Sequence, residues 1–133
     1  MELKKILVVD DEADMRIFVS TVVETSGFQP LCAEDGTAAL VLARSETPDL
    51  IILDVMMPGI DDGLQTYQQF KTDETLNRIP IIMLSAVAKK TFFHSIRMLS
   101  PHNGRSIPEP EAYMEKPPDA NELIRLIDKF LTV

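Results

Sequence analysis

Asp10, Asp11 and Asp54 stand at the ends of two apolar runs, Ile6-Leu7-Val8-Val9 and Leu50-Ile51-Ile52-Leu53. Lys116 follows a third short run, Tyr113-Met114-Glu115. If these runs are neighbouring parallel strands, all four charged groups meet at one edge, because sites in open parallel sheets form outside the carboxyl ends of the strands. Ser85, which closes a further apolar run from Ile81 to Leu84, falls at the same edge. Clustered carboxylates repel one another and invite a divalent cation; an all-oxygen donor set suits Mg²⁺. A lysine beside them suits a second anion that comes and goes. The chemistry that these residue types support is Mg²⁺-dependent acceptance of a phosphoryl group.

The elements that must position these residues alternate between short β-rich runs and helical patterns, the signal for βαβ units and a mostly parallel sheet. After the first strand, Met15, Phe18, Val19, Val22 and Val23 form one apolar helix stripe, and Gly27 lies where a glycine would end that helix. Phe28 to Ala33 is a weaker strand, and Pro30 puts it at or near an edge. Thr37 is expected to cap a helix from Ala38 to about Ser45. Leu50 to Leu53 is apolar throughout, as a central strand covered on both faces should be.

A third helix is expected to start near Asp62 or Gly63 and to carry Leu64, Tyr67 and Phe70 inward. A fourth is expected over roughly Lys89 to Leu99. The stretch from Ser100 to Pro110, dense in Pro, Gly and polar residues, is too long for a tight turn and reads as an extended loop near 100–111. A short strand, Ala112 to Glu115, precedes a final helix through Leu131, with Asp119 and Glu122 as a capping-box pair and Leu123, Ile127 and Phe130 facing inward. The pattern is (βα)₅, a single domain over residues 1–133.

At 133 residues with 45% hydrophobic content, the chain can bury one real core without disulfides. Its single cysteine, Cys32, excludes an internal disulfide and a Cys-based metal site. It reads as a small residue in or near a buried strand. The net charge of −8 and the lack of a basic stripe argue against direct nucleic-acid binding. No apolar run approaches membrane-spanning length and the start lacks a signal-peptide pattern, so the chain reads as cytoplasmic with no membrane partner.

Four motifs in order, Asp10-Asp11, Asp54-Val55-Met56-Met57-Pro58-Gly59, Ser85-Ala86 and Lys116-Pro117, resemble those of the receiver domains of two-component response regulators. The resemblance covers nearly the whole chain. It implies a flavodoxin-like, doubly wound α/β fold with five parallel strands in the order 2-1-3-4-5. It also implies that Asp54 accepts a phosphoryl group from a sensor histidine kinase or a histidine phosphotransfer protein. Asp10, Asp11, Asp54 and the backbone carbonyl of Met56 would hold Mg²⁺. Ser85 and Lys116 would bind phosphoryl oxygens, with Lys116 pairing with Asp54 in the empty site. The Lys116-Pro117 bond is a candidate cis peptide.

Tyr113 would move inward with Ser85, changing the face built from the fourth helix, fifth strand and fifth helix. The implied protein is a signalling switch that assists only its own phosphorylation and dephosphorylation and is otherwise not an enzyme. Its partners would be the kinase or phosphotransfer protein and a downstream protein target, with a homodimer as a candidate assembly. No output segment follows the fifth helix, which fits either a stand-alone receiver or one excised from a longer protein.

Blander readings stand beside these. Asp10 or Asp11 alone could cap a helix, Glu12 and Asp14 fit a solvated first turn, and Tyr113 could be an ordinary half-buried strand tyrosine. The sequence also departs from the family pattern. The stretch Ile60-Asp61-Asp62-Gly63 carries one extra residue, with Asp61 and Asp62 read as helix caps. The extended loop lengthens the segment between Ser85 and Lys116, and Pro118 replaces a more usual aromatic. Met56 and Val87 flank the acceptor and point to slow self-dephosphorylation. The alternative function is a pseudo-receiver, an interaction module that works without phosphorylation. An aspartyl-phosphate phosphatase would want a second acid where Met56 stands. A flavin module would need a phosphate cradle where Asp10-Asp11-Glu12 would repel one.

Overall fold

The computed structural model describes residues 3–56, 60–86, 88–91, 94 and 107–132. Its elements are β1 (Lys5–Val9), α1 (Ala13–Thr25), β2 (Gln29–Ala33), α2 (Gly36–Glu46), β3 (Leu50–Asp54), α3 (Ile60–Thr72), β4 (Ile81–Ser85), β5 (Ala112–Glu115) and α4 (Ala120–Leu131). The five strands pair in parallel in the order β2-β1-β3-β4-β5. This is the doubly wound arrangement expected from the sequence, and Pro30 does lie in an edge strand. Most of the helix expected from Lys89 to Leu99, and the extended loop up to Ser106, lie outside the described residues. So do Met57, Pro58, Gly59 and Val87.

Alternation along the strands sorts their side chains into two cores. Ile6, Val8, Leu50, Ile52, Ile82, Leu84 and Met114 pack against α1 and α4. Leu7, Val9, Ile51, Leu53, Ile81 and Met83 pack against α2 and α3. Each of β3 and β4 is buried along its whole length, which is why these runs read as unbroken apolar sequence.

Local signals account for most helix ends. Gly27, at φ 92°, closes α1: its N–H donates to the Glu24 carbonyl, and the Phe28 N–H donates to that of Val23, the paired bonds of a Schellman ending. Asp119 caps α4 through the Asn121 N–H. At α2 the cap is Asp35 rather than Thr37. Asp35 is extended and its carboxylate takes the Ala38 N–H at 2.8 Å.

α3 begins at Ile60, earlier than the sequence suggests, so Asp61 and Asp62 lie inside its first turn. Gly63 serves contact rather than initiation: a Cβ there would stand 1.6 Å from the Val55 carbonyl oxygen. The missing side chain lets α3 lie directly on the segment after β3. Leu64, Tyr67 and Phe70 are buried as expected. Leu131, more than Phe130, completes the buried stripe of α4. Cys32 is exposed, contrary to expectation, because β2 is an edge strand; its Sγ lies 3.0 Å from Ser20 Oγ.

Candidate functional site

Strand register brings the charged groups together. Val9 pairs with Leu53, Asp54 with Leu84, and Ser85 with Glu115. Asp10, Asp54, Ser85 and Lys116 therefore emerge at the carboxyl ends of four adjacent strands. Asp10 is buried and closely held. Its N–H donates to the Ala33 carbonyl at 3.1 Å, its Oδ1 accepts the Glu12 N–H at 2.9 Å, and its carbonyl accepts from Arg16 Nη1 at 2.7 Å. Asp11, one residue on, faces solvent.

Asp54 is 2% exposed. Its Oδ1 accepts the Met56 N–H at 3.1 Å. Its Oδ2 is buried and has no hydrogen bond, with Lys116 Nζ at 3.5 Å as an ion-pair contact. A lone carboxylate oxygen shut away from water disfavours the charged form. Burial pushes the Asp54 pKa up to about 7; the Asp10 charge adds to the rise, while the Met56 N–H and Lys116 oppose it. Burial opposes the charge on Lys116, but Asp54, Asp10 and Glu12 together raise its pKa. The lysine's hydrogen bonds go to Asp10 Oδ2 at 3.1 Å and, more loosely, to Glu12 Oε1 at 3.4 Å. The expected pairing of Lys116 with Asp54 is thus secondary to its bond with Asp10.

One carboxylate oxygen from each of Asp10, Asp11, Glu12 and Asp54 lies within 4.8 Å of the other three. This donor set, to which the buried Asp54 contributes a carboxylate oxygen, fits a hard divalent cation that takes oxygen ligands and keeps some water. Met56 lies two residues beyond Asp54 and is exposed. Ser85 is fully buried, its carbonyl accepts the Lys116 N–H at 2.8 Å, and its side chain is hydrogen-bonded to that of Tyr113. Tyr113 packs, partly buried, against the α2 and α3 core. The Lys116-Pro117 peptide is cis, as the motif suggested.

Residues 6–102 match the model of the response regulator receiver domain. The chain belongs to this family. Among curated relatives, the Phosphate regulon transcriptional regulatory protein PhoB of Escherichia coli (strain K12) is 43% identical over 83 residues, 62% of this chain and 36% of that protein. The chain thus matches about a third of the length of the PhoB relatives. The polar-differentiation response regulator DivK of Brucella abortus (strain S19) is 34% identical over 129 residues, 96% of each chain. Among solved structures, the chemotaxis response regulator CheY4 of Vibrio cholerae superposes with a TM-score of 0.78 at 25% identity, covering 97% of this chain and 99% of that one. The N-terminal domain of a response regulator receiver protein from Methanoculleus marisnigri JR1 does so with a TM-score of 0.68 at 30% identity, covering 99% of each. The chain is therefore a receiver domain of the two-component response regulator type.

Two residues of this receiver escaped the sequence reading. Glu12 fits a solvated helix start by sequence, yet its carboxylate joins the acidic cluster and reaches Lys116. Arg16 supports the Asp10 carbonyl from the next helical turn. The repeated acid in Asp10-Asp11-Glu12 was the available signal for the first; nothing local marks the second.

Proposed function

We propose that this receiver is a phosphorylation-controlled switch in which Asp54 takes a phosphoryl group from a phosphohistidine on a sensor histidine kinase or a histidine phosphotransfer protein. The observation that carries this reading is the buried, unbonded Oδ2 of Asp54, 3.5 Å from Lys116 Nζ, on a carboxylate that belongs to the acidic cluster. The Met56 N–H holds Oδ1 and orients the carboxylate. Oδ2 then forms the new O–P bond as the P–N bond to the donor imidazole breaks, and the imidazole leaves with the electron pair.

Asp10, Asp11, Asp54 and the Met56 carbonyl would hold Mg²⁺. When bound, the cation neutralises charge on the acceptor and the phosphoryl oxygens. Lys116 exchanges a bond with Asp10 for one with a phosphoryl oxygen, acting as a compact point charge. The Ser85 hydroxyl binds another phosphoryl oxygen, which couples the acceptor to Tyr113. The face built from the fourth helix expected from the sequence, β5 and α4 then changes its preference for a downstream protein. The chain acts only on its own carboxylate, in the cytoplasm, and turns over no other substrate.

Intact-mass measurement after incubation with acetyl phosphate tests this. A gain of one phosphoryl group is expected in wild type with Mg²⁺, and none without Mg²⁺ or in Asp54→Asn. No gain while Mg²⁺ still binds would favour an interaction module that works without phosphorylation.

A further inference from the structure

At the far end of the sheet from Asp54, α3 holds two buried polar side chains that the acceptor chemistry does not use. Lys71 is only 2% exposed at its side chain, and its Nζ donates to both oxygens of Glu111, at 2.8 and 3.0 Å. Tyr67, one turn earlier and fully buried, donates from its hydroxyl to the Pro108 carbonyl at 2.5 Å. Burial, with the Glu111 and Glu109 charges, raises the Tyr67 pKa, so the phenol stays a neutral donor. Ile107 sits in the same core as Tyr67, and Pro110 is buried. The short stretch 107–111 that leads into β5 is thereby fastened to α3 by two polar contacts and an apolar anchor.

Glu111 makes one more bond. Its Oε1 accepts the Ile81 N–H at 2.8 Å. Ile81 opens β4, and the β4–β5 ladder starts only at the next pair, Ile82 with Ala112. The Glu111 carboxylate therefore serves a backbone donor that lies just before that ladder. A slip of one residue in β5 would draw Glu111 away from that donor and turn every β5 side chain to the opposite face. Tyr113 is two residues beyond Glu111 and faces the α3 side of the sheet.

We propose that Tyr67 and Lys71 are positioning residues for Tyr113: by holding 107–111 on α3 they fix β5 so that Tyr113 rests on Ser85 before any phosphoryl group arrives. The inference rests on the switch reading above in giving Tyr113 a role. It concerns the unphosphorylated chain, so its test is independent of acceptor chemistry. A receiver fastened in this way holds its serine–tyrosine contact at rest, and α3 becomes part of the apparatus that sets the resting position.

The experiment is ¹⁹F NMR of the full chain labelled with fluorotyrosine, unphosphorylated and without added metal. The chain has two tyrosines, so Tyr113→Phe, by removing one of the two resonances, assigns that of Tyr113. Ser85→Ala gives the resonance position of Tyr113 without its serine partner. Lys71→Met is expected to move the Tyr113 resonance toward the Ser85→Ala position, and Lys71→Arg, which can still pair with Glu111, is expected to leave it near wild type. A Tyr113 resonance in Lys71→Met that coincides with wild type, while Ser85→Ala moves it, overturns the proposal. If Lys71→Met fails to fold, the same comparison is read on Glu111→Gln. Its amide oxygen can keep the Ile81 bond but not the ion pair, and a wild-type Tyr113 resonance there overturns the proposal equally. Failure of the acceptor reading would appear separately, as no mass gain with acetyl phosphate.

Discussion

Lys116 Nζ hydrogen-bonds Asp10 Oδ2 at 3.1 Å and stands 3.5 Å from Asp54 Oδ2. The lysine thus contacts both carboxylates and partly offsets the mutual repulsion of Asp10 and Asp54. Asp54 lies in the fields of both Lys116 and Asp10, which sets opposite expectations for changes at these two neighbours. Lys116→Met is expected to raise the Asp54 midpoint above about 7, and Asp10→Asn to lower it. Carboxyl ¹³C NMR of metal-free protein across pH 4 to 10 reads the Asp54 midpoint in each variant.

The same carboxylate makes stability depend on pH. The Asp54 pKa rises from 3.8 in the unfolded chain to about 7 in the folded one. Its contribution to stability is full below the lower value and is lost as pH climbs through the upper one. Asp54→Asn removes this loss. In urea unfolding without divalent cations, Asp54→Asn is expected to be more stable than wild type at pH 8, by on the order of a few kcal/mol. The difference should shrink toward zero by pH 4.

Mg²⁺ should act as a stabilising ligand, since its donor oxygens come together only in the folded state. The midpoint of thermal unfolding is expected to rise with Mg²⁺ concentration, more at pH 8 than at pH 5, because the ligands must be deprotonated. Asp11→Asn should flatten the response. Calorimetry at fixed protein concentration gives the comparison.

Gly63→Ala is expected to destabilise the fold by about 1–3 kcal/mol or more, because the added methyl meets the Val55 backbone and α3 must shift. Gly36→Ala meets mainly the Thr66 side chain, with the nearest atom, Oγ1, at 2.1 Å. Thr66→Ala should therefore recover much of the Gly36→Ala loss, whereas no side-chain change can recover Gly63→Ala. Urea unfolding of the two singles and the double checks this.

The strands and the gathering of Asp10, Asp54, Ser85 and Lys116 at one edge were legible because apolar runs, turn residues and strand direction are local signals. The Pro30 edge, the Gly27 ending and the Asp119 cap belong to the same class. Cys32 misled because its neighbours in sequence do not reveal which face of an edge strand stays uncovered. The α3 start misled because Gly63 reads as a helix boundary, while its role is a close approach to Val55. Lys71–Glu111 joins residues 40 apart and Lys116–Asp10 residues 106 apart. No periodicity records such a partnership, and only the assembled sheet supplies it.

The span between Asp10 and Lys116 also bears on synthesis. As the chain leaves the ribosome, the acids and Asp54 emerge long before the lysine, which arrives on a strand that must dock against β4. A half-made chain therefore carries the acceptor and its acidic neighbours without their counter-charge. Competence to receive a signal is acquired last, as the final strand closes, so a nascent or truncated chain would lack the complete site.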